Sequence, residues 1–216
     1  MGCEPEEVYF TSTATEAAAL ALNSAWLHAY TFLSSPFEHH AVSENITRPL
    51  NVDAAPGKVV CQMYANNETG EILSYPADKF KNGDLFFCDS TAAVGHIPVS
   101  FVGTDALVAD AIKFGGVPGA AFLIVDNRFP LSPLIRGGGQ ERGLRSGTEN
   151  LPAICAMAAA LEWQTEHMEE NTQKISALRS MLFYRLSEIP NHKWNTPFGK
   201  PCLPHILNIS FDGVDA

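Results

Sequence analysis

The sequence predicts an α/β fold, a mostly parallel sheet with helices on both faces. Three observations carry this expectation. Apolar runs such as Leu85–Cys88 and Ala121–Val125 are near-continuous, as strands covered on both faces are. In the first half of the chain such runs alternate with helical stretches. The composition, 46% hydrophobic and 18% charged over 216 residues, is that of a globular chain long enough to bury a core.

Each element has its own warrant. Val8–Thr11 is a β-rich run that ends at Thr11-Ser12-Thr13. Ala14–His28 reads as a helix, with Glu16 in its first turn and three consecutive alanines. Tyr30–Leu33 is a second strand and Phe37–Ile46 a second helix. Val59–Tyr64, Leu85–Cys88, Ala106–Val108 and Ala121–Val125 are further strands, and Gly137–Gly147 is a glycine-rich loop. Asn150–Met168 and Asn171–Ile189 are helices. In the second, Ile175, Leu178, Leu182, Leu186 and Ile189 form one apolar stripe, and Pro190 stops it. Asn191–Pro204 reads as a connection, and Ile206–Phe211 as a strand that starts a new unit. The expected division is a large domain over 1–170, shortened at its N-terminus, and a connecting helix with the start of a small domain over 171–216.

Composition also excludes classes of function. A formal net charge of −10 argues against a nucleic-acid partner, whose binders carry basic patches. No run of apolar residues is long enough for a membrane span, and the first residues form no signal peptide. The five cysteines, at 3, 61, 88, 155 and 202, show no CxxC spacing. Neither a disulfide framework nor a metal site is expected, and a reduced, cytoplasmic protein is.

Ligands of doubly wound sheets sit beyond the carboxyl ends of the strands. There the sequence delivers Thr11–Thr15, then Glu38, His39 and His40, then Asn66, Asn67 and Glu68, then Asp89, then Asp110 and Lys113. Each admits a plain reading. Thr13 or Thr15 caps a helix, or the same helix N-terminus holds a phosphate. His39 is a loop histidine, Asn66–Gly70 a turn, and Asp89 a cap. Lys113 stands between Ile112 and Phe114, and a desolvated lysine is a competent amine nucleophile.

Taken together these phrases resemble one family. They are Phe10-Thr11-Ser12-Thr13-Ala14-Thr15-Glu16, Glu38-His39-His40-Ala41-Val42, Asn66-Asn67-Glu68-Thr69-Gly70, Asp89-Ser90-Thr91-Ala92-Ala93-Val94-Gly95, Lys113-Phe114-Gly115-Gly116 and the run from Gly137 to Asn150. The order resembles that of the cysteine desulfurases, in the class V aminotransferase group of fold-type I pyridoxal-phosphate enzymes. The resemblance runs from about Glu7 to Gly213. It implies that Lys113 holds the cofactor covalently and moves the α-proton, and that Asp89 pairs with the pyridinium nitrogen. His39 would stack on the ring and act in acid–base steps. Asn67 would touch the ring oxygen or the substrate. Ala14 and Thr15 would hold the phosphate. Thr148 would lie near the partner's phosphate in a homodimer joined through the Gly137–Thr148 loop. The implied reaction takes sulfur from L-cysteine, leaves alanine, and passes the sulfur to an acceptor protein for iron–sulfur or thio-cofactor assembly.

The chain also departs from that pattern. Thr13 stands where the family has Gly, Ala18 where it usually has Asn, and Ala92 where it has Gln. The Ser-x-His-Lys signature reads Asp110-Ala111-Ile112-Lys113. At about 5 Å and an effective dielectric of ~20, a carboxylate and one phosphate charge repel by roughly 3 kcal/mol, on the order of a hundredfold in affinity. The family's nucleophilic cysteine follows the position of Gly213, so Cys202 is not that residue. Ala92, Asp110 and Ile112 all weaken contacts to the cofactor. The alternative reading is therefore a non-catalytic homologue, or a subunit that completes a composite site.

Overall fold

A computed structural model describes residues 1–47, 55–74, 80 and 83–214. Its main sheet has six strands: β1 (Val8–Thr11), β2 (Thr31–Ser34), β3 (Lys58–Cys61), β4 (Leu85–Asp89), β5 (Ala106–Asp110) and β6 (Ala121–Val125). Their spatial order is β1-β6-β5-β4-β3-β2. The pairs from β2 to β5 are parallel, whereas β6 is antiparallel to both β5 and β1. Five strands thus point one way and β6 alone is reversed. The reversal follows from chain length: residues 115–120 join a turn after β5 to β6, and a parallel crossover needs a dozen residues or more.

The apolar runs are continuous because both faces are covered. Phe87, Val108 and Leu123 pack into one cluster with Leu20, Leu22 and Val42 of α1 (Ala14–Leu27) and α2 (His40–Ile46). Their neighbours Leu107, Phe122 and Ile124 point the other way, to Ala153 and Met157 of α3 (Leu151–Glu166). The two-residue alternation of the strand feeds two cores at once. Mostly parallel α/β architecture with helices on both faces is therefore the observed fold class.

Two expectations change. The helix α4 (Met168–Ser187) forms, but no residue of it is buried, and Leu178 and Leu182 of the expected stripe are 64% and 50% exposed. The period marks the helix; the described residues supply no layer that covers it. The stretch read as a connection contains β7 (His192–Trp194), which pairs antiparallel with β8 (Ile209–Phe211) in a separate two-stranded sheet. Phe183, Trp194 and Phe198 pack edge to face or tilted there, a contact that a polar, Pro-rich composition conceals.

Candidate active site

Because β1 to β5 run in one direction, their carboxyl ends form one rim. A cavity of about 530 Å³ opens there, a size suited to a small ligand. Ala14, Thr15, His39, Asn67, Asp89 and Lys113 all line it. They come from five separate phrases of the sequence, and parallel topology brings them together.

Local chemistry sets each side chain. Asp89 ends β4, is buried, and uses Oδ1 to accept the Thr91 amide N–H at 2.9 Å. It is a cap and a cavity carboxylate at once. His39 caps α2: its Nδ1 accepts the Ala41 N–H at 3.1 Å, which leaves Nε2 as the ring's donor. The Asn66-Asn67 pair divides its two readings. Asn66 Oδ1 accepts the Glu68 and Thr69 N–H groups and builds the turn, while exposed Asn67 lines the cavity.

Lys113 lies on the 3₁₀ turn Ala111–Phe114, where i and i+3 eclipse. Ala111 and Phe114 are buried, so Ile112 and Lys113 face outward. Lys113 is exposed, and the expectation of a desolvated amine does not hold. It has no ion pair among the described residues.

The helix N-terminus beside this turn is arranged unlike the expectation. Thr13 is the N-cap of α1, and its hydroxyl accepts the Glu16 N–H at 3.1 Å. Asp110 neither hangs free nor pairs with Lys113. Its Oδ2 accepts the Ala14 N–H at 2.9 Å, and its Oδ1 accepts the Ile112 N–H at 3.2 Å. One carboxylate therefore caps two elements 96 residues apart in sequence.

Thr148 does not line the main cavity. It lines a separate hollow of about 180 Å³ with Phe10, Ser12 and Arg145. The glycine-rich loop folds back on the chain's own edge strand. Glu141 accepts the Phe10 N–H at 2.9 Å, and Arg142 donates to the Val8 carbonyl at 2.7 Å with its guanidinium 3.8 Å from the Tyr9 ring centre. These side chains satisfy backbone groups that an edge strand leaves unpaired. Arg145 donates from Nε to Glu16 Oε1 at 2.6 Å.

Other cavity residues escaped the sequence reading. His96 donates from Nε2 to the Lys113 carbonyl at 2.8 Å, and its ring lies 3.8 Å from that of His205. Burial first, and then His96, push the His205 pKa down to about 4, so that ring is neutral near pH 7. His96 directly follows the Asp89–Gly95 phrase and was within reach of it; His205 arrives from a distant segment held where the Leu203 N–H donates to the Gly70 carbonyl at 2.8 Å. Glu38, which the sequence placed at this rim, does not line the cavity; it accepts the Met63 N–H at 2.9 Å, while its other oxygen is buried and unpaired, and burial raises its pKa. No cysteine lines the cavity. Burial pushes the Cys61, Cys88 and Cys202 thiols up, the wrong direction for a nucleophile.

The mostly parallel sheet thus gathers an amine, a carboxylate and an imidazole at one rim, the arrangement of an α/β protein with a ligand cavity at its strand ends. The profile of the family Aminotransferase class-V matches residues 53–216. The chain belongs to this family, and within it to the cysteine desulfurase group. A cysteine desulfurase of Gluconacetobacter diazotrophicus is 33% identical over 216 residues, spanning 95% of this chain and 53% of that protein. One from Enterobacter agglomerans is 33% identical over 242 residues, 97% of this chain and 60% of that one. The chain thus spans little more than half the length of such relatives. Among solved structures, a NifS-like protein superposes with a TM-score of 0.88 at 31% identity, covering 99% of this chain and 67% of the other. DndA from Streptomyces lividans gives 0.87 at 28% identity, with 100% and 70% covered.

Enzymes of this family use pyridoxal phosphate. The cavity suits the ring end of that group, since it holds one primary amine for the aldehyde and one buried carboxylate for a pyridinium. The phosphate end fits less well, because Asp110 already occupies the Ala14 amide.

Proposed function

We propose that this chain is a cysteine-desulfurase-like protein that holds a pyridoxal-type cofactor on Lys113 and takes L-cysteine or a similar amino acid. The observation that carries the reading is the convergence of Lys113, Asp89, His39 and Asn67 on one cavity. A bound pyridoxal ring supplies an electron sink for negative charge at the substrate Cα. The chain's own residues do the rest. Lys113 would offer the amine for the aldehyde and a base for a proton at the substrate, and Asp89 would hold a ring nitrogen protonated. His39 presents its Nε2 to the ligand, and Asn67 and Thr15 orient it. Sulfur transfer needs a thiol that the cavity lacks, so a partner or a further segment completes it. Homodimerisation through the Gly137–Thr148 loop, with Thr148 reaching the second site, belongs to the same reading, as do a sulfur-acceptor protein and a cytoplasmic location. The last accords with five free cysteines and with the lack, among the described residues, of any helix long and apolar enough to cross a membrane.

Incubation with saturating pyridoxal or pyridoxal phosphate, followed by borohydride, tests it. A yellow protein with a reduced adduct on Lys113, both lost in Lys113→Ala, is expected; no adduct with either aldehyde overturns it. Sulfide release from cysteine should be absent or slow for the chain alone. A second reading, a non-catalytic or partner subunit, is favoured by Asp110, whose carboxylate accepts the Ala14 N–H at the N-terminus of α1.

A further inference from the structure

The cavity's charges are unusual for a site that takes a dianion. Among the described residues its lining holds no arginine, and its one lysine is Lys113. Against that stand two carboxylates, Asp89 and Asp110. Two described arginines are committed elsewhere, Arg145 to Glu16 and Arg179 to the Ile206 carbonyl at 2.9 Å. A helix N-terminus attracts one anion, because its first amides lack partners. At α1 two of these amides, those of Ala14 and Glu16, already meet side chains. Ala14 N–H donates to Asp110, Glu16 N–H donates to Thr13, and the Asp110 carboxylate supplies the negative charge that the helix dipole favours. Next to it Ile112, 54% exposed, turns an aliphatic side chain into the same cavity.

We infer that Asp110 is a built-in substitute for a phosphate, and that the cavity selects a pyridine aldehyde whose side arm is uncharged over its phosphate monoester. The inference rests on the reading of Lys113 as the aldehyde's holder. It assigns Asp110 and Ile112 as the residues that set side-arm specificity. An uncharged methyl or hydroxymethyl arm meets Ile112 and leaves the Asp110–Ala14 bond intact. A phosphate must displace that bond and still face the carboxylate. In the condensation itself the Lys113 nitrogen replaces the aldehyde oxygen, which leaves as water, and this step is the same for both ligands.

The test compares 5-deoxypyridoxal, which cannot close to a hemiacetal, with pyridoxal phosphate. Each is titrated into the wild-type chain, Asp110→Ser and Asp110→Asn, and read by absorbance and by borohydride-trapped mass on Lys113. In the wild type, 5-deoxypyridoxal should bind at least about tenfold more tightly than the phosphate. Asp110→Ser should tighten the phosphate about a hundredfold and move 5-deoxypyridoxal by less than about threefold. A wild-type preference for the phosphate, or equal shifts of both ligands, overturns the inference. Inorganic phosphate serves as a probe independent of Lys113. It should raise the melting temperature of Asp110→Ser and not that of the wild type. If neither aldehyde labels Lys113, the proposed function fails, and the phosphate probe still decides the role of Asp110: equal responses of the two proteins reject it.

Discussion

Replacing Arg145 by Ala should loosen the glycine-rich loop and cost about 2 kcal/mol of stability. Glu16 and Arg145 hold the loop to the β1–α1 turn through two contacts, Nε to Oε1 at 2.6 Å and Nη2 to Oε2 at 3.3 Å. Their side chains are 14% and 22% exposed. Hydrogen bonds to charged groups contribute roughly 1.5–3 kcal/mol, and stranding one partner of a fully buried pair costs roughly 3–5 kcal/mol. Solvent reaches this pair, and Ser12 still donates its N–H to Glu16 at 3.0 Å, which brings the figure down to about 2 kcal/mol. Urea unfolding near pH ~7 measures it, and a cycle with Glu16→Gln should show a coupling of about 1–2 kcal/mol. The pH dependence has a definite sign. Burial pushes the Glu16 carboxyl up, but Arg145 and Ser12 together hold it below the usual carboxylate range. An acid depressed in the folded state contributes stability above its unfolded pKa and loses it as pH falls through the folded value. The gap between wild type and Arg145→Ala should therefore close as the pH drops below about 4. A loss smaller than about 0.5 kcal/mol, or a gap that ignores pH, would refute this account.

Three further substitutions separate backbone from electrostatic causes. Gly95→Ala places a methyl on a residue with φ +81° and drives it into Phe114 Cβ, so a loss of about 3 kcal/mol is expected by chemical denaturation. Gly143→Ala, at φ +85° with open space around it, should lose only about 1 kcal/mol; equal losses would show that the Phe114 contact is irrelevant. His205 must be neutral in the fold and titrates near 6.5 when unfolded, so stability should fall by about 1–2 kcal/mol as the pH drops from about 6.5 towards 4, after allowance for its partial exposure. His205→Asn should flatten that slope in pH-resolved thermal melts, and an unchanged slope would place the proton elsewhere.

What the sequence made legible was local. All six strands of the main sheet lie where apolar runs placed them, and Ala121–Val125 matches residue for residue, because a strand buried on both faces announces itself by its own composition. The Asn66–Gly70 turn and the Thr13 cap were equally local, resting on groups within three or four residues. The direction of β6 was legible in principle, since six residues cannot carry a crossover. The bond from Ala14 to Asp110 was not. An aspartate's type shows that it can accept an amide, whereas which amide it meets depends on which strand end lies beside which helix. The same holds for Glu141 on Phe10 and for His205 on His96, each brought together by the fold across a long stretch of chain. This explains why the sequence showed which carboxylates stand at the strand ends but not which amides they meet. The family phrases sit at strand ends, and the topology of a parallel sheet gathers strand ends whatever they carry. The field inside depends on the partners of each carboxylate, and for Asp110 those partners are the Ala14 and Ile112 amides.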